Sequence, residues 1–215
     1  MPMTAAREPF PVLRWVALGW VLVWLPVYVR VWGWANQLLL CDAAVILACI
    51  GVWRGSRLLL SSQAVSALFA GLLWALDVGW RLVAGRHLFG GTEYLWDARY
   101  PEWVRLLSLY HVALPGVLLW TLRKTGYDRR GLAAQSGIAA VLLVVSRFLP
   151  PELNLNFAYR DPLLHRAWGP GPVHLGVIFL GLVAVVYVPA HLLLCRVFPE
   201  KRSGINSPLA EERVT

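Results

Sequence analysis

The chain has 215 residues, of which 58% are hydrophobic and only 15% charged, and its formal net charge is +8. Soluble domains average about 45–50% apolar and about 25% charged residues, so a chain of this length has too little polar surface for a water-soluble enzyme and too much apolar surface for a disordered one. The basic excess sits between long apolar runs, where the rule that cytoplasmic loops carry Lys and Arg explains it better than nucleic-acid binding does.

A bilayer core about 30 Å thick needs about 20 apolar residues per crossing helix. Six runs meet that need: 15–31, 36–53, 58–80, 104–122, 131–149 and 173–195. The first holds Pro26 and ends near Arg30, which can snorkel to the interface. All six are too long and continuous for the alternating strands of an outer-membrane barrel. The sequence predicts an all-α, polytopic membrane helix bundle with six transmembrane helices. Residues 1–198 form its single domain, and the polar tail 199–215 is expected to be disordered and cytoplasmic. Short links between the first three helices make them antiparallel neighbours. Arg7 and Arg14 precede the first run without a small-residue cleavage site after it, so that run is expected to stay as a membrane helix.

Lys and Arg number twelve on the side of the N-terminus, the 54–57 and 123–130 links and the tail, against eight on the other side. That bias predicts both termini in the cytoplasm of a multi-pass plasma-membrane protein. Trp53, Trp80, Trp103, Trp120 and Trp168 fall near helix ends, as an interfacial aromatic belt requires.

Ionisable residues within membrane helices are costly and mark candidate sites. Under this topology Cys41, His111 and Asp77 lie about 8, 10 and 5 Å below the outer ends of their helices at 1.5 Å per residue. Asp42 is beside Cys41, and His174 is in the first outer turn of the last helix. Four helices therefore contribute to one outer polar layer. Asp42 is expected to join helices by bonding Arg105 or Arg81, and Asp77 to pair with Arg81 one turn on. Pro115 lacks the N–H that would bond the His111 carbonyl, so that carbonyl is expected to be free. The 154–172 connection mixes amides, aromatics, charge and Gly-Pro turns, which suits a structured cap over the layer. Asn154, Asn156, Arg160 and His174 are its candidate headgroup-binding residues, with Asn154 and Asn156 alternatively bonding the cap together and His174 alternatively interfacial.

The stretch 154–162 followed by Gly169-Pro170-Gly171-Pro172, the Leu40-Cys41-Asp42 tripeptide and the helical His111 resemble the YwaF-like integral membrane family. That family carries a Leu-Cys-Asp element and a Gly-Pro-Trp-Pro segment before its last helix; Gly171 stands here in place of the Trp. The family is similar in turn to intramembrane acyl hydrolases and transacylases that pair a Thr or Cys with a His. The resemblance implies Cys41 as nucleophile, His111 as base and Asp42 or Asp77 as the group that orients the imidazole. Cys41 and Asp42 diverge by about 100° on one helix, so both cannot aim at His111.

A plainer reading stands beside this one. Cys41 is a small buried residue and His111 a packing histidine, and the layer binds a lipid or small solute, or scaffolds a partner, without chemistry. Cys49 and Cys195 read as packing residues, His191 as interfacial, and Ser62, Ser66 and Ala70 as a close-packing line. No metal site, nucleotide loop or cofactor is implied. The expected partners are membrane lipids, with self-association left open and nucleic acid excluded.

Overall fold

The computed structural model describes residues 9–198. Among these residues every regular element is helical. The expected tail, 199–215, lies outside the described residues.

Helix α1 (Leu13–Trp32) runs through Pro26 and stops at Gly33, whose φ of 84° is open to glycine at little cost. It buries only Trp24 and Tyr28, leaving Trp15, Val16, Leu22 and Val23 exposed. A 3-10 turn (Trp34–Leu38) leads into α2 (Leu40–Arg54), so the second apolar run begins its α-helix four residues later than its composition suggests. Gly55 ends α2 in the left-handed region, and the Ser56 hydroxyl accepts the Leu59 N–H to cap α3 (Arg57–Ala84). Residues 102–125 form one apolar rod built from α4 (Glu102–Leu106), a 3-10 turn (Leu107–Leu109) and α5 (Tyr110–Thr125). After α6 (Gly131–Ser146) and the long connection, α7 (Gly171–Gly181) continues through a π-helical turn (Leu182–Tyr187) into α8 (Val188–Val197).

The rods 13–32, 57–84, 102–125 and 171–197 are long and apolar enough to cross a membrane. Helix α6 is apolar but has 16 residues, and α2 has 15. The six apolar runs thus became six helical segments, four of them of spanning length.

Helix α3 is the axis. Helices α2, α5, α6 and α8 pack on it, and α1 packs on α2. Its buried residues include Ser61, Ser62, Gln63 and Ser66; of the small-residue line read from the sequence Ser62 and Ser66 are buried, whereas Ala70 is exposed. Small residues let backbones approach closely. A Cβ at Gly131 would lie 2.9 Å from Ser61 Cβ, and one at Gly71 would collide with the His111 carbonyl oxygen and sit 2.8 Å from Pro115 Cγ. The carbonyl released by Pro115 therefore faces the bare backbone of Gly71.

Two ends result. At the loop-rich end, Asn156 bonds the chain at Leu38 and Leu40, and Trp32 meets the rings of Tyr94 and Tyr100. At the basic end, Trp15 meets Trp53, and Arg57 Nη2 donates to the Tyr127 carbonyl at 2.5 Å. Between them a buried polar seam crosses the core: Gln63 Nε2 donates to Ser62 Oγ (2.9 Å) and Gln135 Oε1 (3.4 Å), and Gln135 Nε2 donates to the Tyr187 hydroxyl (3.2 Å). The π-helical turn brings Tyr187 into that seam, a local widening often found where a side chain is re-aimed.

Candidate functional site

Asp42 is the centre of the loop-rich end. It is buried in the first turn of α2, three residues after Leu39, and its carboxylate meets Tyr110 of α5. Asn36 Nδ2 donates to Oδ2 at 2.6 Å, and the Tyr110 hydroxyl donates to Oδ1 at 2.5 Å. A buried carboxylate needs such donors, because leaving it unpaired costs several kcal/mol. The expected arginine partners, Arg105 and Arg81, are replaced by an amide and a phenol. Arg105 Nη1 instead donates to the Leu95 carbonyl at 2.5 Å, and Arg81 lies over the Trp96 ring.

Cys41 is half-buried, with its Sγ 4.0 Å from Asp42 Oδ1. Its neighbours are the rings of the Trp24, Tyr28 and Tyr110 cluster. His111 follows Tyr110 on α5 and stacks between two rings, Tyr110 at 4.1 Å and Trp74 at 5.0 Å. Its Nδ1 lies 2.8 Å from the Ser108 carbonyl, an acceptor, so Nδ1 carries the proton and Nε2 is left with no hydrogen bond among the described residues. Tyr110 thus lies between the thiol–carboxylate pair and the imidazole, and no hydrogen bond joins Cys41 to His111.

Asp77 performs a different task. Its Oδ1 accepts the backbone N–H groups of Leu88 (2.7 Å), Phe89 (2.6 Å) and Gly90 (3.1 Å). Its Oδ2 accepts from Thr92 Oγ1 and from His87 Nδ1 at 3.0 Å. The carboxylate folds the loop after α3 back onto the helix, so the expected pairing with Arg81 gives way to a nest of loop donors. Beyond it, Trp74 Nε1 donates to the Tyr94 hydroxyl at 3.0 Å, and burial pushes the Tyr94 phenol up to about 12.

The cap residues also bond one another. Asn154 has a φ of 39°; its Oδ1 accepts from Tyr159 and Arg160 N–H, and its Nδ2 donates to the Arg160 carbonyl. Asn156 Oδ1 accepts the Leu40 N–H at 2.9 Å, while its Nδ2 donates to the Leu38 carbonyl and Ser146 Oγ. One amide therefore ties the connection to the start of α2 and the end of α6. His174 is buried rather than interfacial: Nε2 bonds the Phe157 carbonyl at 3.0 Å and Nδ1 accepts the Trp168 N–H at 3.2 Å. Arg160 is exposed. Asp161 caps the following turn, and the backbone N–H of Leu164 holds its carboxyl below the ordinary range.

Sequence reasoning missed Gln37. Its amide Nε2 and Oε1 are both shielded and without a hydrogen-bond partner. It lies at the mouth of an apolar furrow of about 510 Å³ between α2 and α6, whose wall includes Leu38, Ala43, Leu47, Gly137 and Val141. The signal was present: two consecutive amides, Asn36 and Gln37, at the edge of an apolar run. Among the described residues no three His, Cys, Asp or Glu converge on a metal-sized site. No family model, curated protein or solved structure matches the chain.

Proposed function

We propose that the chain is a multi-pass plasma-membrane protein with six membrane-crossing segments and both termini cytoplasmic, related to the YwaF-like family, and that it binds membrane lipid at its loop-rich, outward-facing end. The observation that carries the lipid-binding reading is the pairing of Gln37 with the α2–α6 furrow. A shielded amide without partners costs about 1–3 kcal/mol, which a bound ester carbonyl or hydroxyl would relieve. Leu47 lies seven residues along α2 from Leu40, so the furrow reaches about 10 Å down the helix, roughly two thirds of the ~15 Å that one leaflet's hydrocarbon spans. A Cβ at Gly137 meets nothing within 4 Å, so the furrow is open space rather than a packed seam. The occupant is a glycerolipid of the outer leaflet, its chain in the furrow and its ester linkage on Gln37.

The test is lipid retention in native mass spectrometry of protein extracted from mixed-lipid membranes. Gly137→Trp fills the furrow and should abolish a retained glycerolipid without lowering thermal stability. Gln37→Leu should weaken retention about tenfold while keeping the furrow's shape. Equal retention in wild type and Gly137→Trp would overturn the reading.

A second reading, lipid acyl transfer or hydrolysis with Cys41 as nucleophile and His111 as base, is favoured by one observation: the unengaged Nε2 of His111. Catalytic hydrogen bonds are often formed only when substrate is bound. In this reading Asp42 orients through Tyr110, and Asn154, Asn156, Arg160 and His174 shape the cap. A hydroxylamine-labile acyl adduct in intact-protein mass spectra, lost in both Cys41→Ala and His111→Ala, would support it. Its absence across lipid mixtures would leave lipid binding alone.

A further inference from the structure

Ring contacts tie α1, and Phe10 just before it, to α5 at two levels. Towards the loop-rich end Trp24 meets Tyr110, with ring centroids 5.6 Å apart, and at the basic end Phe10 meets Trp120 at 6.0 Å. Tyr110 and Trp120 are ten residues apart on α5, about 15 Å along its axis, which is the hydrocarbon depth of one leaflet. Between these levels lies an apolar groove of about 480 Å³, a volume within the range of small-ligand sites. Leu13 lines its α1 side, and Val112, Ala113, Gly116, Val117 and Trp120 line its α5 side. A Cβ on Gly116 would meet nothing within 4 Å, so the floor of the groove is open.

The basic end of the groove selects its occupant. At about 100° per residue the five α5 wall residues fall within one sector of about 140°, and Arg123 and Lys124 in the last turn of α5 fall inside the same sector. All of these residues are exposed. Lys124 Nζ lies 4.1 Å from the centroid of the Trp120 ring, which holds the cation over the aromatic that ends the groove. Among the described residues no carboxylate is within ion-pair distance of Arg123 or Lys124, and Asp128 in the following loop is engaged by Arg130. An apolar trough one leaflet deep, ended by a tryptophan and two cations, matches a lipid with an acyl chain below and a negative headgroup above. A headgroup carrying its own ammonium would bring a further cation up to Arg123, Lys124 and the exposed Arg129.

We propose that the α1–α5 groove is a binding site for an anionic glycerophospholipid of the leaflet at the basic end, with one acyl chain along Val112, Gly116 and Trp120 and the phosphate on Arg123 and Lys124. The site shares no residue with the α2–α6 furrow. It also does not depend on which side of the membrane the basic end occupies.

The experiment is native mass spectrometry of the full chain extracted from vesicles of equal phosphatidylglycerol and phosphatidylethanolamine. Every chain carries Gly137→Trp, which fills the α2–α6 furrow and leaves the groove as the site that is read. This chain should retain phosphatidylglycerol over phosphatidylethanolamine by at least tenfold. Adding Gly116→Trp should lower the phosphatidylglycerol adduct at least tenfold and leave the thermal midpoint unchanged. Adding Arg123→Gln and Lys124→Gln instead should lower the preference at least fivefold. Both of those side chains are exposed, so this variant decides the matter even if the second tryptophan unfolds the chain. Equal phosphatidylglycerol retention with and without Gly116→Trp in folded protein, or a preference unchanged by the two glutamines, would overturn the proposal. A protein dimer in place of the lipid adduct, lost on Gly116→Trp, would assign the groove to a second copy of the chain and overturn it as well.

Discussion

The two ends of the bundle each hold a cysteine beside a polar side chain, and the partners differ. At the loop-rich end Cys41 lies against the Asp42 carboxylate, which is already engaged by Asn36 and Tyr110. At the basic end Cys195 lies against the His191 imidazole, held by Tyr127. The difference comes from how each partner arrives. An i, i+4 neighbour on one helix is delivered by helix geometry, whereas a partner on another helix depends on crossing angle and on what fills the gap. At the loop-rich end Tyr110 fills that gap, and the acidic groups there serve architecture: Asp42 joins α2 to α5, and Asp77 folds a loop.

The largest test of that architecture is the contact on which the loop-rich half closes. Gly71→Ala should cost about 3 kcal/mol, because the added methyl meets a backbone carbonyl that cannot swing aside. Gly79→Ala, where a Cβ meets nothing within 4 Å, is the control and should be near neutral in the same detergent-unfolding measurement. Equal midpoints for the two variants would mean that α3 and α5 do not approach as described.

Next in size is Asp77→Ala. It leaves three loop N–H groups, Thr92 and His87 without their common acceptor, a loss of about 2–3 kcal/mol. Hydrogen exchange should quicken across residues 85–92 and leave the 126–130 loop unchanged. Faster exchange at both ends would break the separation drawn between them.

A smaller, pH-dependent effect is expected in the cap. The N–H of Leu164 and its neighbours hold the Asp161 carboxyl below its ordinary value. A depressed folded pKa stabilises the turn at every pH above the unfolded value of about 3.9, and that contribution is lost as pH falls through the folded value. Exchange at Leu163 and Leu164 should stay slow from pH 7 to the ordinary carboxylate range and accelerate only below it. Asp161→Asn should weaken the protection and make it insensitive to pH over that interval.

The sequence made some of this legible and hid the rest for identifiable reasons. Hydropathy located all six helical segments, because burial in an apolar phase is a property of runs of residues. Chain direction then put Cys41, Asp42, Asp77, His111 and His174 at one end, as expected. The actual partners were hidden wherever they were backbone groups or residues of no obvious chemistry. Asp77 chose loop N–H groups over Arg81, Asp42 chose Tyr110 over arginine, and His174 turned inward to the Phe157 carbonyl. Pro115 was readable, and Gly71 opposite it was not, since nothing in either residue's neighbourhood names the other. His191 and Cys195 are the reverse case: their i, i+4 spacing on one helix displays the contact directly.

The smallest expected effect sharpens the comparison from the basic end. Asp128 faces Arg130 in an ion pair of 2.8 Å, and the Arg130 side chain holds the Asp128 carboxyl below its usual range. Yet the arginine side chain is 78% exposed, so water and salt screen the pair. Asp128→Ala should therefore cost about 0.5 kcal/mol or less, with the Ser61 contact retained because it is made by the backbone N–H of residue 128. Measured beside Asp77→Ala in one unfolding series, it sets a carboxylate paired with one exposed arginine against a carboxylate enclosed by loop donors. If the Asp128 variant proves as costly as the Asp77 one, the 126–130 loop is a structural anchor too. Tyr127 would then owe its position to that ion pair as much as to Arg57 and Ser61.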